Sequence, residues 1–243
     1  MQQSPSYLNK NIIRYLQHDS DFQKVFEEFT AAPWRSNHLD TKTKEFINIA
    51  LSASPTHLNK EAVRFHIKQA LEANATQEEI AEVLKIVSIL GVHTCAVGIP
   101  IMMEHFRHEE NVSSKVVYTS EQQELKERFI ATMGYWNDFR DDLIHMDTAY
   151  FKAYYDFLTI PTRRGILEPK IIEFIYIAID SSTTHLFEKG IEVHIKNAIQ
   201  VGATQGELLE VFQLTSALGF HTLLDMLPIL EEEIAKKIKL IKG

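Results

Sequence analysis

An all-α fold follows from three features of the sequence. No segment sustains the two-residue alternation of a strand. Apolar residues recur instead at i, i+3, i+4 and i+7, the stripe one face of a helix buries. Helix-start signals stand at the matching places: Thr76-x-x-Glu79 and Thr204-x-x-Glu207 are capping boxes, in which hydroxyl and carboxylate satisfy free N–H groups of a first turn.

These elements occur twice. Laying Leu39–Pro100 over Leu167–Pro228 needs no gap and gives 27 identities in 62 positions, each residue 128 after its partner. Thr56-His57-Leu58 returns as Thr184-His185-Leu186, His66-Ile67-Lys68 as His194-Ile195-Lys196, and Gly91-x-His93-Thr94 as Gly219-x-His221-Thr222. The chain is an internal duplication. It divides into a first repeat over 1–110 and, over 111–243, a linker helix with the second repeat, the two packed as a pseudo-dimer.

Taken in order, Leu8–Gln17 and Phe22–Phe29 predict two short helices, with copies near Arg140–Met146 and Tyr150–Phe157. Phe22, Phe26 and Phe29 read as core packing. Pro33 and Arg35, matched by Pro161 and Arg163, predict a turn ahead of each repeat's core. Phe46, Ile49, Ala50 and Ala53, with Phe174, Ile177, Ala178 and Ser181, mark the buried face of the next helix; Glu45 and Glu173 sit beside its start. Val63, Ile67, Ala70 and Leu71, with Ile191, Ile195, Ala198 and Ile199, mark the inward stripe of the helix that carries His66 or His194. The capping boxes open a third helix, which Gly91 and Gly219 end or bend. Arg107–Ser120 is polar and reads as the linker, and Ser120–Gln123 caps a further helix through Met133.

Composition sets limits on function. A hydrophobic content of 45% suffices for a packed core, and Lys+Arg 25 against Asp+Glu 33 gives a charge of −8, so no basic surface invites nucleic acid. The start Met1-Gln2-Gln3-Ser4-Pro5 lacks the features of a secretory signal, and a cytoplasmic location is expected. Ile86–Met103 is apolar enough to suggest a membrane span, but its copy Leu214–Glu231 carries Asp225, which favours a buried helix and no membrane partner. The single cysteine, Cys95, excludes a disulfide framework and any Cys-x-x-Cys pair, and reads as a small buried hydrophobe.

The order of Glu-Phe-Ile helix, histidine-bearing helix, Ala-Thr-x-x-Glu capping box and Gly-x-His helix resembles the carboxymuconolactone decarboxylase family, which shares its fold with the alkylhydroperoxidase AhpD. The resemblance covers most of both repeats, and is nearest to tandem members described as gamma-carboxymuconolactone decarboxylase subunits. It implies an AhpD-like helical fold and a homo-oligomer, here a trimer of tandem chains. It does not bring peroxidase chemistry: where AhpD carries Cys-x-x-Cys-x-x-x-His, this sequence has Asn59 and Ala62 before His66, and Phe187 and Gly190 before His194. Without an attacking and a resolving thiol, no disulfide cycle runs.

What remains is acid–base chemistry on a small organic acid or lactone. A decarboxylase holds a carboxylate, stabilises the charge left when carbon dioxide departs, and returns a proton. His66 and His194 are the candidates for proton transfer, and Glu45 and Glu173 for orienting them. His57, His93, His185 and His221, with Arg35 and Arg163 as carboxylate forks, are the candidates for substrate binding. No cofactor is expected. Two alternatives stay open: a zinc, iron or copper site built from the imidazoles and Glu45 or Glu173, and a non-enzymatic ligand-binding or assembly module.

Overall fold

The computed structural model describes residues 19–110 and 117–242. Twelve α-helices and no strand are found among the described residues. In chain order they are α1 (Ser20–Arg35), α2 (Thr41–Ala53), α3 (Lys60–Glu72), α4 (Gln77–Ser88), α5 (His93–Glu110), α6 (Ser120–Met133), α7 (Phe139–Met146), α8 (Thr148–Arg164), α9 (Pro169–Ser181), α10 (Glu188–Gln200), α11 (Gln205–Ser216) and α12 (His221–Lys242). Helices α8 to α11 begin 128 residues after α1 to α4, and α12 begins 128 after α5.

Local chemistry explains the boundaries. Asp19, Asp40, Asn59, Thr119 and Asp147 each accept a backbone N–H at a helix start. Thr76 and Thr204 form the expected capping boxes, and Thr119 with Gln122 forms a third at α6, one residue before the predicted cap. Gly91 and Gly219 lie where the capping-box helices are interrupted. The chain passes through a 3₁₀ turn at Ile89–Val92 or Ala217–Phe220 and continues as α5 or α12.

The two repeats interlock. Helix α2 packs on α9, and each also packs on the other repeat's third helix, α2 on α11 and α9 on α4. Each main core cluster therefore draws on both halves: Phe46, Ile49, Val83 and Ile86 meet Ile172, Ile175 and Ile179, while Trp34, Ile47 and Leu51 meet Phe174, Ile177, Val211 and Leu214. The hydroxyls of Thr56 and Thr184, equivalent residues, stand 3.0 Å apart and mark the approximate two-fold relation. A third cluster, including Leu125, Phe129, Leu143, Phe151 and Tyr154, joins α6 and α7 to α8.

Several expectations change at the surface. Leu8–Gln17 lies outside the described residues. Pro33 and Pro161 lie inside the long helices α1 and α8 and form no turn; Arg35 and Arg163 fall in the last turns of those helices. Helix α5 runs through the predicted start of the linker to Glu110. Phe26 is buried, but Phe22 and Phe29 are exposed, as are Leu71 and Ile199. The run 77–106 has the length and hydropathy of a membrane span, and only 22% of its most apolar window is buried, so the helix expected to be buried over Ile86–Met103 instead turns Val97, Ile101 and Met102 outward.

One buried ion pair locks the halves. Lys44 Nζ and Glu210 Oε1 lie 2.7 Å apart, both nearly inaccessible, and Glu210 also accepts from the Ser36 hydroxyl at 2.5 Å and the Leu39 N–H at 2.7 Å. Truncating one partner strands the other charge. Glu210→Ala should lower unfolding free energy by about 3–5 kcal/mol in denaturant titration; a loss below about 1 kcal/mol would show that solvent reaches Lys44.

Candidate functional site

The histidines are placed by two matched turns. After α2, the N–H groups of His57 and Leu58 both donate to the Ser54 carbonyl, and Asn59 N–H donates to Ser52 O. The second copy repeats this with His185 and Leu186 on Ser182, and Phe187 on Asp180. Leu58 and Leu186 take φ of 49° and 47°, the left-handed region, at roughly 1–2 kcal/mol for a side chain with a Cβ. That strain sits next to His57 and His185 in both repeats.

Each turn delivers its histidine to the opposite repeat. His57 Nε2 lies 2.7 Å from His221 Nδ1, and His185 Nε2 lies 2.8 Å from His93 Nδ1. One imidazole donates and the other accepts, so at least one ring of each pair is neutral. Burial is the main cause of the pKa values: it lowers those of His57 and His185, takes His221 to about 4 with help from His57 and His66, and takes His93 to about 3 with help from His185, His194 and Arg140.

Beside each pair is a glutamate–imidazole contact. His66 Nδ1 lies 2.7 Å from Glu45 Oε2, and His194 Nδ1 lies 2.7 Å from Glu173 Oε2. Burial raises the Glu45 pKa against the opposing pull of His66. Tyr176 stacks on His194 with ring centroids 4.4 Å apart.

The repeats differ at the next position. Asp180 is fully buried, with Oδ2 4.0 Å from His194 Nε2 and Oδ1 3.7 Å from His93 Nδ1. Burial drives its pKa up to about 7, Glu173 adds to the rise, and His194 opposes it. The equivalent residue in the first repeat is Ser52. A cavity of about 1030 Å³ opens beside the second site, lined by Tyr135, Trp136, Phe187 and Val193 among others. It adjoins a narrow inner space of about 40 Å³ that reaches His93, His194 and Arg140. Arg140 is buried, donates from Nη2 to the Tyr154 hydroxyl at 3.0 Å, and lies over the rings of Phe129, Tyr135 and Phe139. Among the described residues no carboxylate pairs with it, and its Nε has no hydrogen-bond partner.

This chain is similar to a solved structure from Burkholderia xenovorans LB400, described as a candidate gamma-carboxymuconolactone decarboxylase subunit. The two share 36% identity and a TM-score of 0.88 over 98% of this chain and 100% of the other. The chain belongs to the carboxymuconolactone decarboxylase family. The model of that family matches residues 20–92, within the first repeat. No curated protein matches the chain.

Within this family member, the structure regroups the histidines that sequence singled out. His57, His66 and His93 do not converge in one repeat: His93 crosses to His185 and His194, and His221 crosses to His57 and His66. Arg35 is exposed, and exposed Arg163 donates to the Asp156 carbonyl at 3.0 Å; neither lines the cavity. Cys95 is partly exposed, 3.7 Å from the Tyr150 hydroxyl. Asp180, Arg140 and Tyr135 escaped sequence reasoning. The signal for Asp180 was its mismatch with Ser52 inside an otherwise well-matched helix.

The neutral pair at His57 and His221 makes stability depend on pH. A histidine with a folded-state pKa below its unfolded value leaves the unfolded chain holding more protons, so stability falls as pH drops from about 6.5 towards 4. The groups facing this pair are His66 and Asp225. In denaturant titration the chain should lose on the order of 2 kcal/mol between pH 7.5 and 4.5 from His221, and His221→Gln should flatten that slope. An unchanged slope would mean that His221 is protonated in the folded state.

Proposed function

We propose that the chain is a carboxymuconolactone decarboxylase-like enzyme acting on a small organic acid or lactone by proton transfer, chiefly at the second-repeat site. The observation that carries this reading is the 2.7 Å contact from Glu173 Oε2 to His194 Nδ1, beside the inner cavity. A glutamate holding Nδ1–H fixes the ring and its tautomer, which leaves Nε2 to exchange a proton with a bound molecule. In decarboxylation the C–C bond to the carboxylate breaks, its electron pair stays on the substrate as an enolate, and the protonated imidazole returns a proton to that carbon.

Arg140 takes the place first expected of Arg35 and Arg163. A guanidinium buried among rings, with no acidic partner among the described residues, suits a substrate carboxylate entering the inner cavity. His66 with Glu45 is the corresponding dyad of the first repeat.

Carbon dioxide release from gamma-carboxymuconolactone and related small lactone acids tests this reading. His194→Asn should lower kcat by roughly 10²–10⁴-fold, and Arg140→Met should raise KM. Turnover that persists when His66→Asn and His194→Asn are combined would sink the assignment.

We also propose a homo-oligomer, a trimer of tandem chains. Its support is the exposed apolar rows Val97, Ile101 and Met102 on α5, and Met226, Ile229 and Ile234 on α12. Light scattering should give three times the chain mass, and Ile101→Asp with Ile229→Asp should reduce it; a wild-type monomer would refute the assembly.

A further inference from the structure

The second-repeat site holds a group that proton transfer at His194 does not use. Both carboxylate oxygens of Asp180 are buried, and neither has a hydrogen-bond partner among the described residues. A buried carboxylate so placed is costly unless a cation or several donors meet it. The basic groups within 4.0 Å are imidazoles at distances too long for hydrogen bonds: His93 Nδ1 at 3.7 Å from Oδ1 and His194 Nε2 at 4.0 Å from Oδ2.

The same region supplies metal-ligand spacing. One atom each from His93, Asp180 and His185 lies within 4.8 Å of the others, and the His93 Nδ1 to His185 Nε2 edge is 2.8 Å. Around a tetrahedral ion with bonds of about 2.0–2.2 Å, neighbouring donors stand roughly 3.3–3.6 Å apart. The observed triangle brackets that spacing, so one edge opens and another closes by side-chain rotation. We propose that His93, His185 and Asp180 bind one divalent first-row transition-metal ion, with a further position on the side of the inner cavity.

The first repeat is a comparison built into the molecule. There His57 and His221 meet at 2.7 Å with Ser52 in place of the buried carboxylate; the acid that faces this pair, Asp225, is exposed and accepts from Asn59 Nδ2. Making room for the acid needed a second difference. A Cβ at Gly190 would collide with Asp180 Oδ2, and the equivalent residue beside Ser52 is Ala62. Acid and glycine therefore occur together in the second repeat, as serine and alanine do in the first. Two imidazoles and one carboxylate suit zinc, cobalt, nickel or ferrous iron.

This inference stands apart from the proposed decarboxylation, because its test reads binding alone. Full-length protein prepared without an affinity tag is stripped with chelator and titrated with Co²⁺. We expect visible d–d absorption, one Co²⁺ per chain by elemental analysis after gel filtration, and displacement by Zn²⁺. Asp180→Ser, which copies the first repeat, and His185→Gln should each weaken binding at least tenfold, with far-UV circular dichroism confirming the helical fold. Failure of the wild type to retain stoichiometric Co²⁺, or wild-type affinity in both folded variants, would overturn the proposal.

Discussion

The packing of α2 against α9 is the constraint from which the rest of the structure follows. Neither helix buries the whole of its apolar face within its own repeat: Phe46 and Ile49 also pack with Ile172 and Ile175, and Phe174 and Ile177 with Ile47 and Leu51. Once these helices meet, the turns that follow them are brought face to face, as the Thr56–Thr184 contact shows. From there His57 and His185 reach into the other repeat. The Lys44–Glu210 pair fixes the same arrangement from the side, since breaking it would leave a charge in the core.

Within that frame the two sites share their imidazoles and glutamates but differ in what surrounds them. The first has Ser52 and Ala62; the second has Asp180 and Gly190. The second also has Arg140 and Tyr154 at its inner cavity, carried by α7 and α8. The residue 128 positions before Arg140 is Ile12, so this arginine has no counterpart at the matching sequence position. A scaffold that is nearly symmetric therefore holds a polar, charge-bearing pocket on one side, and local substitutions rather than fold decide where chemistry can occur.

Helices and their starts were legible in the sequence because capping chemistry and a 3.6-residue period act locally. The Glu45–His66 and Glu173–His194 neighbours were legible for a related reason, since both lie on adjoining helices of one repeat. The crossed histidine pairs were not. His57 and His221 are 164 residues apart, and nothing in a single sequence distinguishes a histidine kept within its repeat from one passed to the other. Periodicity likewise marks an apolar face without saying what covers it, which is why Phe22, Phe29, Leu71 and Ile199 read as core and proved exposed. Asp180 was not legible from the duplication because it has no match: Ser52 stands at the equivalent position.

The joining of both halves in one chain has a consequence for how such a pocket can change. A half-length polypeptide pairing with itself would carry every substitution in duplicate, so an aspartate introduced beside one imidazole pair would appear beside both, together with the glycine it needs. Fusion removes that coupling. One half can keep a serine while the other tolerates a buried acid, and the cost in stability falls once per molecule instead of twice. The covalent link is thus what lets the molecule be symmetric in its framework and unequal in its chemistry.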